Sequence, residues 1–179
     1  MVYVLLGTGF EEIEAITPVD LLRRANIDVL TVGLNGKTVF GGHGIGVEAD
    51  ITIDQMDLTA LEMLVLPGGL GGVASIRASE QAMAAISFAH QNNKYLAAIC
   101  AGPTVLGDLG ITDGKRCVCY PGCESGMGSA SIANDPAVQD GLLVTGTSAG
   151  CAVKFALALI RALRGEDAAQ KIAQQIVIR

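Results

Sequence analysis

The chain of 179 residues has no tryptophan and only 3 tyrosines and 4 phenylalanines. With so few aromatic rings, its core must be filled by aliphatic side chains, and half of all residues are hydrophobic. Charge is scarce as well. Only 17% of residues are charged, and 18 acidic residues outnumber 12 basic ones, for a net charge of −6. That sign argues against nucleic acid as a partner, because phosphate contacts need a basic surface. No apolar run reaches the length of a membrane-spanning helix. The amino terminus lacks the positive-then-apolar order of a leader, since Glu11, Glu12 and Glu14 come too early. A cytoplasmic protein away from the membrane is the resulting expectation. In that compartment the 5 cysteines are read as thiols. Histidine is nearly absent too. His43 and His90 are the two present, and none follows Cys100.

What the chain does contain is glycine, 23 residues of it, set between short apolar runs and amphipathic stretches. Val2 to Leu6, Ile27 to Leu34 and Met63 to Leu66 read as buried strands. So do Tyr95 to Cys100, Arg116 to Tyr120 and Gly141 to Thr145. Helices are expected over Glu11 to Ala25 with a kink or break at Pro18, over Ser79 to Asn92 with Ser79 as N-cap, and over Ala101 to about Leu109. Ala149 to Leu163 and a segment around Ala168 follow. The glycines at 41, 42, 44 and 46 mark a small hairpin leading into Val47. Alternating strands and helices of this kind predict one α/β domain over residues 1–179, with a mostly parallel sheet covered on both faces. Ligands of such sheets sit beyond the carboxyl ends of the strands. Gly7-Thr8-Gly9, Pro67-Gly68-Gly69 and Cys100 all fall at that edge.

Cys100 ends an apolar strand and is followed at once by Ala101-Gly102-Pro103. Pro103 suits the first turn of a helix, where no amide donor is needed. A thiol at that turn faces unpaired N–H groups and the positive end of a helix dipole. Both favour thiolate, the nucleophilic form. The plainer alternative is a buried structural cysteine. The convergence of three features on one sheet edge favours the functional reading.

Four motifs in order carry a resemblance. They are Gly9-Phe10-Glu11-Glu12-Ile13-Glu14, Pro18-Val19-Asp20, Leu66-Pro67-Gly68-Gly69 and Ala98-Ile99-Cys100-Ala101-Gly102-Pro103, with Lys154-Phe155-Ala156-Leu157 in the last long helix. Together they resemble the ThiJ/PfpI superfamily, in the branch of the Parkinson-disease-associated deglycase and its bacterial relatives. The resemblance implies a flavodoxin-like three-layer sandwich, a homodimer, and a reactive cysteine at a nucleophile elbow. No cofactor and no metal are expected. Residue by residue, it makes Cys100 the nucleophile, Glu14 the carboxyl group on its sulfur, and the N–H groups of Gly69 and Ala101 an oxyanion-binding pair. A carboxylic acid beside a thiolate is expected to be pushed towards its protonated form, able to donate a proton. Two convergent amides can stabilise a developing oxyanion.

The implied activity is that of a glyoxalase or deglycase acting on α-oxoaldehydes or their adducts. The alternative is an oxidative-stress sensor or chaperone-like protein that uses the same cysteine without turnover. A peptidase or amidase is disfavoured by the missing histidine. Tyr120, in Cys119-Tyr120-Pro121-Gly122, stands where many relatives carry histidine. His43 stands in Gly41-Gly42-His43-Gly44, where relatives place an arginine, and reads either as an auxiliary group or as a solvated loop residue. Thr147-Ser148-Ala149-Gly150 replaces another arginine-containing stretch. Cys117, Cys119 and Cys123 form a C-x-C-x3-C pattern without the fourth ligand of a structural zinc site. They read as spectator thiols, with Cys119 or Cys123 as candidates to resolve an oxidised Cys100. Cys151 reads as core.

Overall fold

The computed structural model describes residues 1–178. Its elements in chain order are β1 (Val2–Leu6), α1 (Glu12–Arg24), β2 (Val29–Gly33), β3 (Thr38–Phe40), β4 (Gly46–Glu48), β5 (Ile51–Thr52), β6 (Met63–Leu66), α2 (Leu70–Ala78) and α3 (Glu80–Gln91). They continue with β7 (Tyr95–Ile99), α4 (Pro103–Asp108), β8 (Arg116–Cys117), β9 (Ser131–Ile132), β10 (Ala137–Asp140), β11 (Leu143–Gly146), α5 (Ala152–Arg164) and α6 (Glu166–Gln175). Seven strands make the main sheet in the order β10-β11-β7-β6-β1-β2-β5. All neighbours run parallel except β10 against β11. This is the flavodoxin-like arrangement.

Side-chain alternation along each strand feeds two cores. Val4 and Leu6 of β1 point into one, with Phe10, Leu22 and Phe155, beneath α1, α5 and α6. Tyr3 and Leu5 point into the other, with Leu64, Ile76 and Ile86, beneath α2, α3 and α4. Burial on both sides is why the strands are apolar without alternation. From β1 the chain first builds outward to β2 and β5, then returns to the other side of β1 with β6, β7 and β11. The direction therefore reverses between β1 and β6, and this opens a crevice at their carboxyl ends. Among the described residues, no helix is long and apolar enough to cross a membrane.

The sequence expectation differs from the structure at several points. α1 runs unbroken through Pro18. The break expected at Pro18 is therefore absent, and Pro18 is buried within the helix. The strand expected over Arg116 to Tyr120 shrinks to β8, which pairs with β9 in a separate two-stranded sheet. Beyond it, Val118 N–H donates to Thr145 Oγ1 at 2.9 Å, so a side chain takes over where a strand partner would be. The start of the last long helix is a 3-10 turn at Ala149–Cys151. α2 was not foreseen, because Gly71 and Gly72 weaken its helical signal. As expected, Ser79 caps α3, its Oγ accepting from Ala82 N–H at 3.2 Å.

Candidate active site

Three turns meet at the crevice. The turn after β1 carries Gly7 to Glu11, the turn after β6 carries Pro67 to Gly69, and Cys100 closes β7. Cys100 has φ of +65°, in the left-handed region that costs a non-glycine residue about a kcal/mol or more. Two hydrogen bonds hold it there. Its N–H donates to Gly146 O at 3.0 Å, and its carbonyl accepts from Tyr120 N–H at 2.8 Å. The strained backbone leaves the sulfur half-buried at the head of the turn into α4.

Glu14 reaches this point from the first turn of α1. Its side chain is fully buried, and Oε2 accepts from Gly68 N–H at 2.8 Å. Gly68 must be glycine. A Cβ there would lie 2.5 Å from Glu14 Oε2 and 2.6 Å from Cys100 Cβ. Glu14 Oε1 is buried with no hydrogen-bond partner. An ionised carboxylate with an unpaired oxygen is costly in such a place. Burial accordingly pushes the Glu14 carboxyl up to about 7, against the opposing hydrogen bonds from Cys100 and Gly68, and the nearby charge of Glu11 adds to the rise.

The sulfur also interacts with the N–H groups of Ala101 and Gly69. The structure thus brings together Cys100, Glu14, Gly69 and Ala101. It reverses one expectation, that the thiol favours thiolate. Burial, followed by the charge and hydrogen bond of Glu14, pushes the Cys100 thiol up to about 12, and the two amides only partly offset this. Between these two steps the carboxyl and the sulfur hold one proton between them.

The other candidates lie further out. Tyr120 is tied to Cys100 by its backbone, but its side chain is exposed. Cys119 is buried in the core beneath α2, α3 and α4, together with Cys117. Cys100 packs against the opposite core. Burial pushes both buried thiols up to about 11. All five cysteines are free. Cys151, expected in the core, is only half-buried at the turn before α5. His90 is exposed in the last turn of α3.

His43 is not simply solvated. Its N–H donates to Glu12 Oε1 and its Nδ1 meets Glu12 Oε2, both at 2.8 Å. Burial alone would raise Glu12, but the hydrogen bonds from the His43 ring and from backbone amides hold its carboxyl at about 2. The bond to Glu12 and the charges of Glu11 and Glu12 raise His43 above its ordinary value. Glu12 was not singled out from the sequence. The available signal was a run of glycines facing an acidic helix start. Glu11, Glu12 and His43 each offer a donor atom, all within 4.8 Å of one another, a spacing that could hold a metal ion. Hydrogen bonds join His43 to Glu12, and Glu11 Oε1 lies 3.7 Å from the same ring nitrogen.

The comparisons agree with this architecture. The chain is 34% identical to protein dj-1beta of Drosophila melanogaster over 178 residues, which are 98% of this chain and 95% of that protein. It is 30% identical over 131 residues to deglycase PH1704 of Pyrococcus horikoshii, covering 73% of this chain and 78% of that one. A cysteine-to-alanine mutant of the DJ-1 superfamily protein STM1931 from Salmonella typhimurium has a crystal structure similar to this chain. The TM-score is 0.93 at 34% identity, over 99% of this chain and 98% of that one. The DJ-1/PfpI family model matches residues 1–162, the stretch that supplies all three turns of the crevice. With the fold, the motif order and the relatives in agreement, the chain belongs to the DJ-1/PfpI family.

Proposed function

We propose that the protein is a cofactor-independent glyoxalase or deglycase-like enzyme, with Cys100 as nucleophile and Glu14 as the group that moves protons. The observation that carries this reading is the buried Glu14 carboxyl, set beside a sulfur that also faces two amides. Two relatives are named deglycases. Because the resting sulfur is a thiol, Glu14 acts first as a base. It takes the thiol proton as sulfur adds to the aldehyde carbon of an α-oxoaldehyde. The Gly69 and Ala101 amides stabilise the oxygen that becomes negative. In the hemithioacetal, the proton on the former aldehyde carbon is removed, and a proton is delivered to the neighbouring ketone carbon. The first carbon is oxidised to a thioester, and the second is reduced to an alcohol. Water then hydrolyses the thioester, giving a 2-hydroxy acid and the free thiol. The sum is one oxoaldehyde plus one water, so no external oxidant or reductant is needed.

No histidine side chain takes part in this scheme, and this sets it apart from peptidase chemistry. We also propose a homodimer. The reading is tested by D- and L-lactate release from methylglyoxal. The unmutated protein is expected to release lactate, and Cys100→Ser none. If the unmutated protein forms no lactate but Cys100 oxidises first under peroxide, the sensor reading replaces the enzyme.

A further inference from the structure

The loop between β3 and β4 is fastened to the segment that joins β1 to α1. Gly9 N–H donates to Phe40 O, and Gly42 N–H donates to Phe10 O, each at 2.8 Å. His43 adds two bonds to Glu12, through its backbone N–H and its ring Nδ1. Glu12 is only 7% exposed. Space for its carboxylate depends on a missing side chain, since a Cβ on Gly41 would come within 2.3 Å of Oε1. The same imidazole nitrogen lies 3.7 Å from Glu11 Oε1. Glu11 in turn ties the head of α1 to the reactive turn. Its N–H donates to Gly68 O at 3.0 Å, and its carbonyl accepts Glu14 N–H at 3.1 Å. Gly68 N–H then holds the Glu14 carboxyl. A continuous set of polar contacts therefore runs from the His43 ring to the group beside the sulfur.

We propose that His43 is a positioning residue for the Cys100 site. As an imidazolium paired with Glu12 and Glu11, it clips the β3–β4 loop onto the head of α1, holding the Gly68-Gly69 turn, whose Gly69 amide faces the sulfur, in place. Glu12 and Glu11 are the charged side chains that act on the ring, and both favour its cationic form. The cation also offsets the Glu11 charge that otherwise reaches Glu14. The clip is closed at low pH and weakens as the imidazole loses its proton. Relatives with arginine here would have a clip that does not titrate. This inference rests on Cys100 being the reactive group, and it does not depend on turnover of any substrate.

The test is the rate of Cys100 alkylation by iodoacetamide on the intact protein, followed by peptide mass mapping, from about pH 6 to about pH 9. His43→Ala is expected to react about fivefold slower than the unmutated protein at the acid end, the effect of losing one hydrogen bond that fastens the loop. The two rates are expected to converge at the alkaline end. His43→Arg should restore the acid-side rate and exceed the unmutated protein at the alkaline end. Glu12→Gln should lose the same acid-side advantage, and the His43 ring, followed by NMR, should titrate lower than in the unmutated protein. A His43→Ala profile that tracks the unmutated protein would overturn the proposal. So would a His43→Arg variant as slow as His43→Ala, because general damage to the loop would then explain both. If His43→Ala does not fold, the Glu12→Gln profile decides alone. A lack of lactate release would sink the enzymatic reading while leaving these rates unaffected.

Discussion

Glu14 shows how a single residue can place function and stability in opposition. Its carboxyl is raised from 4.5 to about 7 in the folded chain, chiefly by burial. The folded state therefore binds more protons than the unfolded state between those values, and stability falls as pH rises through that window. Glu14→Gln removes the titration but keeps an oxygen for Gly68 N–H. It is expected to be more stable than the parent above about pH 7, by up to ~3 kcal/mol, with the gap closing below the unfolded value. Urea unfolding of both proteins across this range checks it, and a constant gap would show that Glu14 carries no raised titration. From the sequence, Glu14 was only one of three glutamates in an acidic helix start. Nothing in local periodicity distinguishes it from Glu11 or Glu12. The family resemblance singled it out, and burial gives the physical reason. The Cys100 expectation failed in its direction because amide and dipole effects can be read from a turn, whereas desolvation depends on a fold that surrounds the sulfur.

At the scale of elements, the strands of the main sheet were legible wherever an apolar run is buried on both faces, as in β1, β6 and β7. Elements held by tertiary contacts were not. α2 starts at Leu70 and contains Gly71 and Gly72, which lower its propensity. Those glycines allow close approach of the β1–α1 turn. A Cβ on Gly72 would lie 2.7 Å from Phe10 Cα, a backbone atom that cannot move alone. Gly72→Ala is therefore expected to cost ~1–3 kcal/mol despite its better helix propensity. Gly150 has its nearest atom 3.9 Å from the equivalent Cβ, and Gly150→Ala should change stability by less than about 0.5 kcal/mol. Thermal melts of the two variants separate these outcomes, and equal losses would contradict the close-approach argument. β8 was overextended for the converse reason. Val118 and Cys119 are apolar and buried, but they lie beyond the end of the strand, where the Val118 N–H pairs with a side chain instead of a strand partner.

For the molecule as a whole, composition and element order were enough to anticipate two cores around a mostly parallel sheet with a crevice at one edge. The reversal of strand order between β1 and β6 was not readable, because it depends on which side of β1 the returning strand takes. Surface association is a further property at this scale. α1 leaves Ile13 53% and Ile16 40% exposed, three residues apart on one helix face. With few charges to cover the surface, we expect this face to be used in a homodimer. Light scattering should give twice the chain mass, and Ile16→Glu should shift the mass towards the monomer. A monomer mass for the unmutated protein at micromolar concentration would refute the dimer.

The central claim is that one proton shared by Glu14 and Cys100 does the chemistry, and Glu14→Gln tests it when two rates are read from the same preparation. Removing the carboxylate removes a charge that opposes ionisation of the sulfur, so Cys100 should alkylate as fast as in the parent or faster. Lactate release from methylglyoxal should fall by a factor of about 100 or more, the range expected for loss of a general acid–base. Full lactate release in Glu14→Gln, with Cys100 still alkylating, would contradict the account and move the proton transfers to another group.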